Sequence, residues 1–306
     1  MKKEKFIDLH THTIFSDGGL TPNALVMRAK DAGLSAISVT DHDNLLAMDV
    51  AILKGAELGV EIVPGIELTA YVDETLDLHI LGYFIDKKNR PLNERLEYFK
   101  KQREIKSKKV VDNLKELGYK IDYNEVKKIA RGTVAAPHLA YVLINNSANS
   151  EKLTKEFGEL PTTGIFIRDY LAAGGKAYEP REAATPEEAI NLIHGAGGLA
   201  VLAHPCWNLC AKVGSKLVFD DQWVDRLVKL GLDGIEVWAH RENEKDTEKA
   251  VAHYEKLADK YKLIKTGGSD FHGFGSAGKE LGFGDFYLKV PYEILENLKS
   301  KVKKID

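Results

Sequence analysis

The chain has 306 residues, 44% of them hydrophobic and 29% charged, with a formal net charge of -3. That is the balance of an ordinary globular protein, long enough for one large α/β domain or two smaller ones. It excludes the basic footprint of a tight duplex-DNA binder but leaves small phosphorylated ligands open, because bound metal ions add positive charge that the count omits.

In chain order, the first predicted strand covers residues 6–9 and runs into His10-Thr11-His12, with Ser16-Asp17-Gly18 close behind. Thr21 as N-cap and Pro22 in the first turn predict a helix over 22–32. A second strand, 36–40, ends in Asp41-His42-Asp43 and is followed by a helix over 44–58. A third, 61–64, leads through Gly65 to Glu67, and a fourth, 78–84, carries His79. Residues 91–160 then break the rhythm. They are lysine-rich and lack a convincing strand, and Leu96, Phe99, Val110, Leu114 and Leu117 recur at helical intervals until Gly118. This segment is expected to be a helical insertion capping one end of a catalytic unit made of 1–90 and 161–306. Beyond it come a helix at 186–196, a strand at 199–203 ending in His204-Pro205, and a helix at 221–230. A strand at 234–238 with His240 just past it precedes a helix at 245–261. The strand at 263–266 ends in Gly267-Gly268-Ser269-Asp270-Phe271-His272, and a last strand is expected at 285–290. Apolar strands separated by helices predict a parallel sheet covered on both faces, or a closed barrel.

In such architectures the C-terminal strand ends converge on the active site. Six of the ten histidines, His10, His12, His42, His79, His204 and His272, lie at or near predicted strand ends with acidic companions, a pattern that points to a metal cluster. His10 and His12 are two apart in a strand and so face one side. Glu67 has two oxygens and is able to bridge two ions. Nitrogen and oxygen donors without thiolate suit Zn²⁺, Mn²⁺ or Fe²⁺. Two cysteines, Cys206 and Cys210, are too few for a disulfide framework or a structural zinc site, and Cys206 is expected to be a buried small side chain. The apolar run after Met1-Lys2-Lys3-Glu4-Lys5 is too short for a signal peptide and no stretch approaches a membrane span, so a cytoplasmic location is expected.

Asp8-Leu9-His10-Thr11-His12, Ser16-Asp17-Gly18, Thr40-Asp41-His42-Asp43, Pro64-Gly65-Ile66-Glu67, Leu202-Ala203-His204-Pro205 and Gly268-Ser269-Asp270-Phe271-His272 together resemble the PHP (polymerase and histidinol phosphatase) family. The resemblance spans nearly the whole chain. It implies a distorted (β/α)7 barrel with three divalent metal ions that hydrolyses phosphate esters. Carried over by position, His10, His12, Glu67 and Asp270 would hold one ion and a bridging hydroxide. Glu67, His79 and His204 would hold a second, and Asp17, His42 and His272 a third.

Arg103, Ala136-Pro137-His138-Leu139-Ala140 and Gly175-Lys176-Ala177-Tyr178-Glu179-Pro180-Arg181 resemble the group of 3',5'-nucleoside bisphosphate phosphatases and RNA 5'-end exonucleases. That group often has an arginine beside the Pro-His pair where this chain has Ala136. Arg131 is the candidate replacement. Arg103, Arg131, His138, Lys176, Arg181 and His240 are accordingly candidate substrate contacts, guanidinium groups matching phosphate geometry. Lys106, Lys108 and Lys109 are expected to form a solvated helix face, His194 and His253 to be structural, and Asp41 and Asp43 to act on His42 and its neighbours. The expected reaction is removal of the 3'-phosphate from a nucleoside 3',5'-bisphosphate. Stepwise 5'-to-3' cleavage of short single-stranded RNA or DNA, histidinol phosphate hydrolysis, and a non-catalytic metal-dependent binding module are the alternatives.

Overall fold

Residues 4–73, 76–130, 132–273, 280–282 and 289–302 are described in a computed structural model of the chain. The first half of the sheet is built as its sequence suggests. Strand β1 (Phe6–Thr11) is followed by α1 (Pro22–Asp31), β2 (Ala36–Val39), α2 (Met48–Leu58), β3 (Glu61–Tyr71) and β4 (Asp77–Tyr83). Thr21 caps α1 as expected, its hydroxyl accepting the Ala24 N–H at 3.2 Å. Helix α2 begins at Met48 rather than at residue 44. Asn44 is tied into a loop instead, its amide donating to the Phe15 carbonyl at 2.7 Å while its oxygen accepts the Leu46 N–H at 3.1 Å.

The helical segment follows: α3 (Arg90–Glu116), α4 (Tyr123–Ala130), α5 (Ala136–Asn145), a 3₁₀ turn at Ser147–Asn149, α6 (Ser150–Phe157) and α7 (Thr163–Phe166), which runs into a π-turn at Ile167–Leu171. Helical structure therefore continues past residue 160. The 27-residue α3 joins two cores. Leu92, Leu96 and Phe99 pack with the sheet residues Ile66, Leu68 and Ile80, whereas Val110, Val111 and Leu114 pack with Leu139, Leu143, Phe166 and Tyr170 of the helical segment.

The remaining elements are α8 (Pro186–Gly195), β5 (Leu199–Leu202), α9 (Pro205–Asn208), β6 (Cys210–Val213), β7 (Lys216–Phe219), α10 (Asp221–Lys229), β8 (Gly234–Trp238), α11 (Glu244–Tyr261), β9 (Ile264–Gly267), β10 (Val290–Pro291) and α12 (Glu293–Val302). Most of the last predicted strand lies outside the described residues. The β6–β7 hairpin was not anticipated; its strands are four residues long, largely solvent-facing, and turn through Gly214 at φ +61°. No helix among the described residues is long and apolar enough to cross a membrane.

The large sheet has the order β10-β1-β2-β3-β4-β5-β8-β9. Its two ends approach each other beyond β9, where Phe271 bridges Thr11 and the His12 N–H donates to the Phe271 carbonyl at 2.9 Å. The result is a nearly closed, barrel-shaped sheet surrounded by helices. It is not all-parallel: β3 pairs in parallel with β2 through Pro64 and antiparallel with β4 from Gly65 onward, and β4 is antiparallel to β5 as well. Reversal of β4 matters for the site. Its N-terminal end, at His79, lies opposite Thr69 near the C-terminal end of β3. His79 thus joins residues carried by the C-terminal ends of the parallel strands.

Candidate metal centre

The functional side chains collect where β1, β2, β5 and β9 end, around one carboxylate. Glu67 is fully buried, and each of its oxygens faces imidazole nitrogens. Oε2 lies 3.2 Å from His10 Nε2, from His12 Nε2 and from His42 Nδ1. Oε1 lies 2.9 Å from His79 Nδ1 and 3.1 Å from His204 Nε2. Asp270 Oδ1 approaches the same His10 and His12 nitrogens at 3.4 and 3.2 Å. Asp17 sits beside His272 at 3.3 Å, His42 at 3.7 Å and His12 at 3.8 Å.

Among the described residues, four overlapping groups have donor atoms close enough to share an ion. They are His10, His12 and Asp270; His10, Glu67 and His204; His42, Glu67 and His79; and His12, Asp17, His42 and His272. His10 Nε2, His12 Nε2, Asp17 Oδ1, His42 Nδ1 and Glu67 Oε2 are buried without a well-formed hydrogen bond to any described residue. Buried polar atoms are almost always satisfied. Five orphans converging on one place, all nitrogen or carboxylate oxygen, fit divalent cations.

Charge balance supports the same reading. Burial favours the neutral form of each group, but His42, His10 and His79 more than offset it for Glu67 and hold that carboxyl well below its usual range. Burial pushes His42 down to about 4, beyond what Glu67 and Asp17 restore, so its imidazole is a neutral donor at physiological pH. Burial likewise opposes charge on His10, yet Glu236, Glu67 and Asp270 raise it well above the ordinary histidine value. The cluster is thus an ionised carboxylate core among imidazoles.

Three residues here have left-handed backbones without being glycine: Asp43 (φ +51°), His204 (φ +24°) and Asp270 (φ +53°). Such conformations cost on the order of 1 kcal/mol each and persist where surrounding bonds fix them. At Asp43 the N–H donates to the Glu67 carbonyl at 3.0 Å, and Oδ1 accepts the Thr69 N–H at 3.0 Å.

Asp41 and Asp43 act on the segments around His42 rather than on its ring. Asp41 does not bond His42. It accepts from Thr13 N–H (2.7 Å), Thr13 Oγ1 (2.6 Å) and Ser16 Oγ (2.6 Å), and so ties down the loop from His12 to Asp17. Asp43 pairs with two guanidinium groups, Arg103 and Arg181 (3.4 Å to the latter), which hold its carboxyl below the usual range against the effect of burial. Glu236 was missed altogether, although an acid inside the apolar run Gly-Ile-Glu-Val-Trp was a visible signal. It bonds His10 Nδ1 and the His204 N–H.

Beside the cluster opens a cavity of about 450 Å³. It is lined by Asp17, His42 and His79 of the cluster, by Arg103, Lys106, Tyr178 and Arg181, and by the acids Asp73 and Asp77, with apolar walls from α3, α5 and the π-turn. Lys106 is a correction. It is half-buried with its ammonium 4.9 Å from the Tyr178 ring centre, while Lys108 and Lys109 are exposed as expected. Burial, followed by the charges of Arg181 and Arg103, pushes Lys106 down to about 8.

Other candidate contacts fall elsewhere. His138 is buried, and its Nδ1 accepts the Ala135 N–H at 3.1 Å, capping α5. Lys176 is exposed and donates to the Tyr170 hydroxyl at 3.1 Å. His240 is buried, stacks edge-on against Trp207 and does not line the cavity; Ala136 does. Arg131 lies outside the described residues. His194 and His253 pair with Asp233 and Asp221 away from the cluster, and Cys206 is buried.

A family profile described as "PHP domain" matches residues 8–159. A 5'-3' exoribonuclease of Haemophilus influenzae is 32% identical over 291 residues, covering 94% of this chain and 98% of that protein. The chain belongs to the PHP family. A 3',5'-nucleoside bisphosphate phosphatase of Chromobacterium violaceum is 26% identical, with 97% of each chain covered. The solved structure of a Bifidobacterium adolescentis protein named as a metal-dependent phosphoesterase superposes with a TM-score of 0.79 at 28% identity, covering 97% and 96% of the two chains. This PHP protein is a metal-dependent phosphoesterase, a hydrolytic enzyme whose candidate ligand groups are those described above.

Proposed function

We propose that the enzyme removes the 3'-phosphate of nucleoside 3',5'-bisphosphates, giving a 5'-mononucleotide and phosphate. One observation carries this reading: the cavity beside the histidine–carboxylate cluster is also lined by three cationic side chains, Arg103, Lys106 and Arg181. Arg103 and Arg181 share the Asp43 carboxylate, and Lys106 has Asp77 and Glu179 as its acidic neighbours. A second phosphate would find cationic donors there, and guanidinium groups bind it bidentately.

In this assignment His10, His12, Glu67 and Asp270 hold one divalent ion, Glu67, His79 and His204 a second, and Asp17, His42 and His272 a third. Ions in such a site lower the pKa of water and neutralise charge on phosphoryl oxygens. The chain's own part is positional. Glu67 and the histidines fix the reacting end, while Arg103, Arg181 and Lys106 hold the 5'-phosphate so that the 3'-ester reaches that end. The apolar walls exclude water from the remainder of the nucleotide. Water adds to phosphorus, the P–O3' bond breaks, and the 3'-oxygen leaves as a hydroxyl.

The similarity to the Haemophilus influenzae exoribonuclease favours a second reading, cleavage of short RNA from its 5' end. The same bond breaks in both. They differ only in whether the 3'-phosphate carries another nucleoside. Phosphate release from adenosine 3',5'-bisphosphate in Mn²⁺ is expected at a kcat/KM at least about tenfold above that for 3'-AMP, roughly 1.4 kcal/mol of transition-state binding. A 5'-phosphorylated RNA shortened stepwise much faster than the bisphosphate is hydrolysed would replace the first reading with the second.

A further inference from the structure

Glu236 has no place in the ligand groups, yet it stands directly behind two of their members. It is on β8, its side chain is fully buried, and both oxygens face the His10 ring at Nδ1, at 3.1 and 3.2 Å. Oε2 also accepts the backbone N–H of His204 at 2.8 Å. One carboxylate thus connects strand β1 to the turn after β5, two segments nearly two hundred residues apart.

A buried carboxylate is expensive when its role is only to fill space, and an apolar side chain of similar volume usually serves stability as well or better. The position of Glu236 does more than fill space. A histidine that binds an ion through Nε2 keeps its proton on Nδ1, and Nδ1 is the atom that both Glu236 oxygens face. Nε2 then points to the opposite side of the ring, toward Glu67 Oε2 and Asp270 Oδ1, where it has no well-formed hydrogen bond to any described residue. At His204 the bond fixes a backbone at φ +24°, unfavourable for a residue with a Cβ. Holding that N–H aims the ring so that Nε2 meets Glu67 Oε1 at 3.1 Å while Nδ1 pairs with Asn208 Oδ1 at 2.8 Å.

We propose that Glu236 is a positioning residue for metal binding, fixing the proton of His10 on Nδ1 and the backbone of His204 so that both Nε2 atoms face the ions. This rests on the metal-site reading of His10 and His204. Glu236 is buried and does not line the cavity, and its effect belongs to the ions those two histidines hold. The group of Asp17, His42 and His272 does not contact it in any of the bonds described.

The test is ion affinity rather than turnover. Metal-stripped wild-type protein, Glu236→Gln and Glu236→Asp are titrated with Mn²⁺ against a chromogenic chelator, and bound metal is counted by mass spectrometry after gel filtration. Glutamine loses the charge and is unable to accept from both partners in the same way; aspartate keeps the charge but withdraws it. Outer partners of metal-bound histidine are worth about 10- to 100-fold in affinity. Glu236→Gln is therefore expected to weaken the tighter-coupled ions by that factor and retain one ion at the Asp17 group, with Glu236→Asp between it and wild type. A folding defect would instead lower every site together and shift the circular-dichroism melt of the metal-free protein. Should the glutamine variant not fold, wild-type affinity in Glu236→Asp overturns the proposal. So does wild-type affinity in Glu236→Gln. Wild-type protein that binds no divalent ion overturns the metal reading itself, a result distinct from unchanged binding in the variants.

Discussion

Glu67 is the residue on which the site turns, because five imidazoles divide themselves between its two oxygens. Glu67→Gln keeps the shape but removes the charge and one acceptor. It is expected to lower kcat/KM on p-nitrophenyl phosphate by more than about 100-fold with a parallel loss of bound metal, measured together by colorimetric assay and mass spectrometry. Full metal content at a wild-type rate would show that Glu67 is no ligand. Lys106 gives a prediction of a different kind. Its ammonium is pushed down to about 8 by burial and then by Arg181 and Arg103, with Asp77 and Glu179 pulling weakly the other way. Because the shift is downward, the charged form exists below pH 8 and is lost above it. KM for adenosine 3',5'-bisphosphate should rise as pH passes from 7 to 9. Lys106→Arg, charged throughout, should flatten that rise. An unchanged profile in the variant would assign the pH effect to another group.

At the level of elements, strand β3 shows both what sequence conveys and what it conceals. Pro64-Gly65 reads as a strand end, since proline lacks the N–H that a ladder needs. In the fold the strand continues to Tyr71, changing partner at that point from β2 to β4. Gly65 is what permits the change: a Cβ there would lie 2.2 Å from Ser38 Oγ and 3.0 Å from Thr40 Cγ2. Gly65→Ala is expected to cost about 1–3 kcal/mol by overpacking, read as a lowered thermal midpoint of the metal-free protein. A midpoint equal to wild type would mean that β2 and β3 are able to move apart at no cost. The ligand-bearing strand ends were legible because each short apolar run stops at its histidine or aspartate. The antiparallel course of β4 was not, since an apolar strand has the same composition in either direction. Nor was the inward turn of Lys106, because helical periodicity places a side chain on a face but does not say what faces it. Glu236 escaped for the opposite reason. It sits in the middle of a strand, where a motif search for strand-end ligands does not look, although its burial required a partner.

For the whole molecule, the side chains lining the cavity come from different parts of the chain. The sheet supplies the histidine–carboxylate cluster. Helix α3 supplies Arg103 and Lys106, and the segment leading back to the sheet supplies Arg181. Because α3 is anchored at one end in the core of the sheet and at the other in the core of the helical segment, its two cations are held at a fixed place relative to the cluster. Arg103 donates through Nη2 to Asp43 and, at 3.4 Å, to Thr69 Oγ1, while its Nε is buried without a hydrogen bond to any described residue. Arg103 also lines the cavity, where its guanidinium would meet a ligand phosphate. A charge-assisted hydrogen bond is worth about 1.5–3 kcal/mol. Arg103→Ala is therefore expected to raise KM for adenosine 3',5'-bisphosphate at least about tenfold. The kcat for p-nitrophenyl phosphate, whose single phosphate occupies the cluster alone, should stay within about twofold of wild type. The aryl ester also reports on folding, because Asp43 loses one of its two cations in the variant. Equal losses on both substrates would place Arg103 at the reacting phosphate, or in the stability of Asp43, rather than at a second anion site.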